Sequence, residues 1–533
     1  GQATGNIVNL GDGTAATLAA GTNLANTTVY GGSRGGNGNT LNVKAKDVTI
    51  KTAKNLAAYK FHLTDDIAQN GTGSGAMLTL TAADGFGGTE GWSKIDVDMS
   101  GLSSGQEIIG RTTLLRSTTA NALSFSAYDG KDRTHGVANG DYETALRTDT
   151  NTGTATSVIL DYNRFQNNTD AVYDGTKDAY TMPHSDGSTT SELFAGISYA
   201  GNTTQNNHLK IKSLKDDVDA AYGGKTAGTA GASAGNSVTV EGTGSHALKN
   251  IYGGYVENAA NTGDATDNTV TFLGGRITGD IYGSCTTGTG ATTGNTVNLG
   301  DGVAATLAAG TDLSGVTLYG GSNAGDVTGN TLNVKAKDIN VKALRNFDAL
   351  HFHLGDKIGM GSTMLTLTDN DGLGRAMDWS KIRVDASALS TDQTEGKLTL
   401  LKGASVMNFT GYTGPMDHTP AGNSGDYELS LHTDTGTGAA QEVLLDYNRF
   451  RNAKKKYDGS TPATNGEVYG GISYFGRTTA NNELEVTGTP TGGLETVYGG
   501  KATGTPRTPA DYPTKDSKEN KVTVEKDVTG EIT

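Results

Sequence analysis

The sequence predicts an all-β fold: an elongated parallel β-helix, or solenoid, carrying two large tandem repeats. The first observation behind this is a duplication. Residues 5–33 return as residues 294–322, and 22 of the 29 aligned positions are identical. The echo runs on through NTLNVKAKD at 39–47 and 330–338, MLTLT at 77–81 and 364–368, WSKI at 92–95 and 379–382, and LDYNRF at 160–165 and 445–450. A chain copied at this scale is an array, built to extend or to present surface. The second observation is a shorter unit, Asn-x-(Val/Leu)-x-(Val/Leu/Phe) followed after a gap by an apolar residue and Tyr-Gly-(Gly/Ser). Its tyrosines are Tyr30, Tyr222, Tyr252, Tyr282, Tyr319, Tyr469 and Tyr498; the step from Tyr222 to Tyr252 to Tyr282 is 30 residues each time. The third is composition. With 78 Gly, 34% hydrophobic and 6% aromatic residues, the composition does not suit one large globular core, whereas it fits coils that each bury a few side chains. Disorder would also suit this composition, but apolar alternation at Val8 and Leu10, Leu41 and Val43, and Val238 and Val240 argues for strands.

Taken in chain order, residues 1–222 form the first large repeat, 223–293 a run of short Tyr-Gly-Gly coils, and 294–500 the second large repeat. Residues 501–533 begin a further short coil unit and stop before its Tyr-Gly-Gly, since NKVTVEKDVTGEIT at 520–533 parallels NSVTV at 236–240. In NTVTF at 268–272, alternation puts Thr269 and Thr271 on one side and Val270 and Phe272 on the other. Gly274 and Gly275 supply the bend that follows. Longer segments, 47–200 and 338–475, hold the strand-like pieces KFHL or HFHL, KIDVDM or KIRVDA, SVILDY or EVLLDY, and GISY. Helical spacing is confined to LKNI at 248–251 and the stretch Leu214–Ala221.

The formal net charge of −15 is spread along the chain, which opposes nucleic-acid binding. Cys285 is the single cysteine, so an intrachain disulfide framework is excluded. No apolar stretch approaches the roughly 20 residues of a membrane-spanning helix. The start carries neither Met nor a basic-then-apolar leader, and the expectation is of a segment cut from a longer protein.

The run NFDALHFHLGDKIGMGSTMLTLTDND at 346–371, with GKLTLLKG at 396–403, resembles passenger regions of large autotransporters, the type V secreted surface proteins of Gram-negative-type anaerobes. The NxVxV…IYGG units are similar to repeats of the same proteins. The resemblance implies a right-handed parallel β-helix displayed at the cell surface, exported behind a leader and anchored by an outer-membrane barrel outside this segment. Passengers of this kind are mostly adhesins, with some proteases and esterases.

Each constellation capable of chemistry meets a counterpart in the other copy that lacks it. Gly422-Asn423-Ser424-Gly425-Asp426 resembles a serine-protease core, but the first copy reads Val137-Ala138-Asn139-Gly140-Asp141, without the nucleophile. Asp96 and Asp98 share a strand face suited to acid and base, yet their counterparts are Arg383 and Asp385. His351 and His353 offer two imidazoles where zinc needs three or four ligands, and their counterparts are Lys60 and His62. Asp369-Asn370-Asp371-Gly372 opens like a calcium loop, but Ala82-Ala83-Asp84-Gly85 keeps one carboxylate. Lys454-Lys455-Lys456 reads as a solvated loop, with polyanion or glycan contact as its alternative. The Tyr-Gly-Gly tyrosines read as an internal stacked column, with a sugar-stacking platform as theirs. Asp161-Tyr162-Asn163-Arg164-Phe165, repeated at 446–450, reads as a corner whose polar groups satisfy backbone and whose Phe165 and Phe450 cap the core.

The expectation is therefore a non-enzymatic surface adhesin or fibre mediating cell attachment or cell–cell association, with no catalytic, metal or cofactor site and no cofactor. Its partner would be a host or bacterial surface receptor or glycan, with self-association possible. Recognition is expected at the loops that differ most between copies, 128–140 against 412–425 and 166–190 against 451–466. The alternatives are a carbohydrate-active β-helix enzyme, which needs carboxylates clustered beside a groove, and a structural surface-layer or filament subunit.

Overall fold

The computed structural model describes residues 3–33, 37–68, 75–103, 108–128, 133–138, 140–183, 188–322, 326–358, 361–417, 425–460, 463, 465–489, 494–503, 517–525 and 530–532. The chain is all-β. Among the described residues the helical pieces are Asp65–Ala68 and two short 3-10 turns, Trp92–Lys94 and Trp379–Lys381. No helix there is long and apolar enough to cross a membrane.

Eight strands stack in chain order into one parallel sheet: Ala171–Asp174, His208–Ser213, Ser237–Val240, Thr269–Phe272, Thr296–Leu299, Thr331–Val334, Ala349–Gly355 and Ile382–Ala388. Their register keeps like beside like. Leu209, Val238, Val270, Val297, Leu332, Leu350 and Ile382 occupy one column, and Ile211, Val240, Phe272, Leu299, Val334, Phe352 and Val384 the next. Both columns are buried, while the alternate Thr269 and Thr271 face outward. Period-2 alternation does this: every inward position is aliphatic or Phe, so stacking one strand on the next makes a continuous apolar seam. The first copy repeats the arrangement on a smaller scale, Ile7–Leu10, Thr40–Val43, Ala58–Thr64 and Ile95–Gly101 forming a four-stranded parallel sheet.

A second sheet of fifteen strands runs beside the eight-stranded one and includes Thr189–Phe194, Val218–Thr226, Ala247–Val256, Ile281–Thr286, Leu313–Tyr319 and Ile339–Arg345. Asn and Asp residues take left-handed φ at the same places in both copies: Asp47 and Asp338, Asn55 and Asn346, Asn167 and Asn452. Short polar side chains tolerate that conformation, which explains their abundance between strands.

Two expectations are corrected. LKNI lies within the strand Ala247–Val256, and Leu214–Ala221 runs into the strand Val218–Thr226. The helix-favouring Ala220 and Ala221 are held between Glu192–Phe194 on one side and Asn250–Tyr252 on the other, and tertiary pairing overrides local propensity. Pairing is also not parallel throughout. In each copy three strands turn back antiparallel: Ile109–Ser117, Ser157–Arg164 and Tyr142–Thr148 in the first, Glu395–Thr410, Ala439–Arg449 and Tyr427–Thr433 in the second. Matching threonine-rich turns make the reversal, Thr148 Oγ1 donating to Thr152 O at 2.9 Å and Thr433 Oγ1 to Thr437 O at 2.8 Å.

Candidate functional site

The Tyr-Gly-Gly unit is built on a buried ladder of asparagines. The Asn that opens each Asn-x-Val-x-Val strand points inward and bonds to its counterpart on the next strand. Asn207 Nδ2 donates to Asn236 Oδ1 at 2.9 Å, Asn236 to Asn268 at 3.1 Å, Asn268 to Asn295 at 3.2 Å and Asn295 to Asn330 at 3.1 Å. The same oxygens also accept backbone N–H groups, and each Nδ2 donates to a carbonyl such as Thr204 O or Ser233 O. These amides are almost fully buried and fully engaged, which burial of a polar group demands. The second glycine of Tyr-Gly-Gly packs directly on the ladder. A Cβ on Gly224 would stand 2.6 Å from the Asn236 amide, and one on Gly254 2.4 Å from that of Asn268.

With the glycines pressed inward, the tyrosines go outward. Ile251, Ile281 and Leu318 fill the core side, so Tyr252, Tyr282 and Tyr319, next along each strand, project from the opposite face and are half-buried. The tyrosines do form a stacked column, buried at the Phe194 and Tyr222 end and half-exposed on the outer face of the sheet at Tyr252, Tyr282 and Tyr319. Phe194, Tyr222, Tyr252, Tyr282 and Tyr319 stack with centroids 5.5, 5.1, 4.8 and 4.5 Å apart and planes within 13° of parallel. Because the rings cover each other's faces, sugar stacking on those faces inside the column is blocked. Tyr255 leans onto Tyr222 and Tyr252 at 5.4 and 4.9 Å. Burial pushes the hydroxyls of Tyr222, Tyr252 and Tyr282 well above their ordinary range, so they stay protonated. The Cys285 thiol, in register with Tyr255, is pushed by burial to about 12 and is no thiolate nucleophile at neutral pH.

Lys225 sits beside this column with its ammonium 4.9 Å from the centre of the Tyr222 ring. Its Nζ bonds Glu192 at 2.9 Å and Glu257 at 2.8 Å. Lys501 and Glu467 form the corresponding pair in the second copy. Tyr469 and Tyr498 are in register with each other there, and Tyr469 hydrogen-bonds Glu395 and Tyr474. Tyr30 lies apart from the column and is 54% exposed.

The Asp-Tyr-Asn-Arg-Phe segments form a corner around a carboxylate that the sequence reading missed. Glu143 accepts from Asn163 Nδ2, Ser198 Oγ, Asn202 Nδ2 and the N–H groups of Tyr199 and Ala200. Burial alone would raise its pKa, but these donors outweigh it and hold it below the usual value. Glu428 repeats the arrangement with Asn448 at 2.9 Å, Ser473 at 2.6 Å, and the N–H groups of Tyr474 and Phe475 at 2.8 and 3.3 Å. Arg164 and Arg449 donate to backbone carbonyls and lie over the Tyr142 and Tyr427 rings. Phe165 and Phe450 are buried. Asp161, by contrast, faces out and pairs with Arg111 and Arg147.

The remaining candidates are engaged elsewhere or kept apart. Asp98 pairs with His62 at 3.1 Å and Lys60 at 3.7 Å, while Asp96 is exposed; Asp385 pairs with His353 at 3.4 Å. At Asp369-Asn370-Asp371-Gly372, Arg345 donates to Asp371 at 3.3 Å and to Gly372 O at 3.2 Å. Among the described residues no group of three or more His, Cys, Asp or Glu is placed to hold a metal. Lys454–Lys456 is not a loop but part of the strand Lys454–Tyr457, in register with Glu483 and Glu485; Lys456 pairs with Glu485 and Lys455 with Glu395. These carboxylates answer the basic run that the sequence showed without a partner. Gly422, Asn423, Ser424 and Asn139 lie outside the described residues, as do parts of the four variable loops.

Burial lowers the pKa values of His62, His351 and His353. The unfolded chain, with histidines near 6.5, therefore takes up these protons first as pH falls. The contribution to stability is intact above about pH 6.5 and is lost as pH drops from there toward the lower folded values. Thermal midpoints should fall between pH 7.5 and 5.5, and replacing all three histidines by Gln should flatten that part of the profile.

No family model, curated protein or solved structure matches the chain.

Proposed function

We propose that the chain is an elongated right-handed parallel β-helix acting as a non-enzymatic passenger at the cell surface, an adhesin or fibre that attaches cells to a receptor or glycan or to one another. In this reading it is exported and held through an outer-membrane barrel outside the segment. The carrying observation is the eight-stranded parallel ladder from Ala171 to Ala388, in which chain order and spatial order coincide. A strand that always lands beside its predecessor is what winding produces, and at about 4.8 Å per strand a wound chain becomes a rigid rod with loops on its flanks. Rigid scaffolds with variable loops favour recognition over turnover. A carbohydrate-active enzyme is the weaker reading, because Asp98, Asp385 and the glutamates Glu143 and Glu428 are committed to ion pairs and backbone donors.

Beads carrying the purified chain should adhere to cells, and exchanging segment 166–190 for 451–466 should change which cells they bind. Steady hydrolysis of a polysaccharide or peptide would overturn the non-enzymatic reading. These segments also carry strands, Ala171–Asp174 and Lys454–Tyr457 among them, so adhesion unaltered when only the turns 175–179 and 458–460 are replaced by Gly-Ser would overturn their assignment as contact surfaces.

A further inference from the structure

Tyr199 and Tyr474 are the same residue in the two copies, ending Gly-Ile-Ser-Tyr at 196–199 and 471–474. Both stand open to solvent, 45% and 47% exposed, although the Ile and Ser before each are buried. Such exposure does not recur elsewhere: the counterpart of exposed Tyr30 is Tyr319, stacked on Tyr282, and exposed Val303 answers Thr14. The backbone N–H of each tyrosine donates to the buried carboxylate of its corner, Tyr199 to Glu143 and Tyr474 to Glu428, both at 2.8 Å. Each ring is therefore carried on a fastened backbone, and a ligand landing on it costs little ordering of the chain.

The hydroxyls show how the rings lie. Tyr474 Oη is 3.2 Å from Oη of Tyr469, a buried residue. Burial, and then the charges of Glu192 and Glu257, holds the Tyr199 hydroxyl above its ordinary range. In both copies the polar tip turns toward the protein while nearly half the residue meets water, so the ring lies along the surface and shows a face instead of its tip. Among the described residues neither ring is stacked by another ring or a cation, unlike Tyr222 and its counterpart Tyr498. A partly exposed carboxylate stands near each hydroxyl end. Glu395 accepts from Tyr469 Oη at 3.4 Å and pairs with Lys455 at 3.5 Å, and Glu257 pairs with Lys225 at 2.8 Å through one of its two oxygens.

We propose that Tyr199 and Tyr474 are two saccharide subsites, each stacking a neutral pyranose on its open face while the neighbouring carboxylate, Glu257 or Glu395, accepts from sugar hydroxyls. This rests on the adhesin reading above and names its ligand class. An aromatic face carries the negative end of the ring quadrupole, and the C–H bonds along one face of a pyranose meet it with hydrogen of opposite sign. Carboxylates form charge-assisted bonds with hydroxyl donors, and they repel an acidic sugar. Two subsites on one chain reinforce each other on a glycan-covered surface through effective concentration.

The probes are beads coated with neutral oligosaccharides ending in galactose, mannose or N-acetylglucosamine, and beads whose glycans end in sialic acid. The full chain should be retained by at least one neutral coating and less by the sialylated one. Tyr199→Ala or Tyr474→Ala alone should lower apparent affinity about tenfold or more, and the double variant should abolish retention. The two Tyr→Phe variants keep the ring and should bind within about twofold, and Tyr30→Ala should bind unchanged. Circular dichroism of the alanine variants separates loss of a subsite from loss of the fold. No retention on any neutral coating, or wild-type retention by the folded double alanine variant, would overturn the subsites. An effect from one alanine substitution and none from the other would overturn the second subsite, and equal retention on sialylated beads would overturn the neutral class. Cell adhesion without saccharide retention would remove the subsites and leave the adhesin reading standing, whereas saccharide retention without cell adhesion would do the reverse.

Discussion

Replacing Glu428 by alanine should unfasten the corner of the second copy and cost roughly 3–5 kcal/mol, the range for removing one partner from a buried charged network. The side chain is fully buried, and its two oxygens accept from Asn448 Nδ2, Ser473 Oγ and the N–H groups of Tyr474 and Phe475, with Arg477 3.8 Å away. An alanine there supplies no acceptor, so each donor that finds no water bears its own desolvation penalty. Glu428→Gln keeps one acceptor but turns an NH2 group toward donors, and should recover only part of the loss. Native-state hydrogen exchange is the direct measurement: the amides of Tyr474 and Phe475 should lose protection in Glu428→Ala, while those of Tyr199 and Ala200, held by Glu143 in the first copy, should not. Unchanged protection at Tyr474 would show that the carboxylate does not hold this corner.

That corner also shows where sequence reading stops. Tyr142-Glu143 and Tyr427-Glu428 recur while Thr144-Ala145 becomes Leu429-Ser430, so a charged residue retained on an otherwise changing strand was the available signal. The partners, Ser198 and Ser473, lie more than forty residues on, and no local pattern joins them. Val270 and Phe272 were legible because a two-residue period survives in any half-buried strand. Tyr252 was misread because the period says which residues share a face but not which face meets the core; Ile251 takes the core side. The antiparallel hairpins were missed for a related reason, since alternation is the same in either strand direction. The fixed place of asparagine before each Val-x-Val is visible in the sequence, but the pattern does not say that its amide turns inward. An amide carries an NH2 donor and a carbonyl acceptor on separate atoms of one uncharged planar group, and a repeated amide at a repeated place can therefore bond to its own copies.

That property makes Asn268 the other position where a single change should be severe. Its Oδ1 accepts from both the N–H and Nδ2 of Asn236, and its Nδ2 donates to Ser233 O and Asn295 Oδ1. Alanine would leave these buried groups short of partners, at about 1–3 kcal/mol for each group that finds no water. Relaxation into the small cavity would offset part of this, and a net loss of about 4 kcal/mol is expected. Larger residues fare no better, because a Cβ on Gly254 already meets this amide, and the same closeness leaves no room for added bulk on the Asn side. Asp keeps the acceptors but loses the donor and buries a charge, so Asn268→Asp should be destabilised as well, and more so above the pH at which that carboxyl ionises. Asn333 is the control. Its amide faces outward and donates to Asn298 Oδ1 at 2.8 Å where water can replace it, and Asn333→Ala should cost under about 1 kcal/mol. Denaturant unfolding of the three variants tests the ordering. If Asn268→Ala were as stable as Asn333→Ala, the buried ladder would be a consequence of the stacking and not one of its causes.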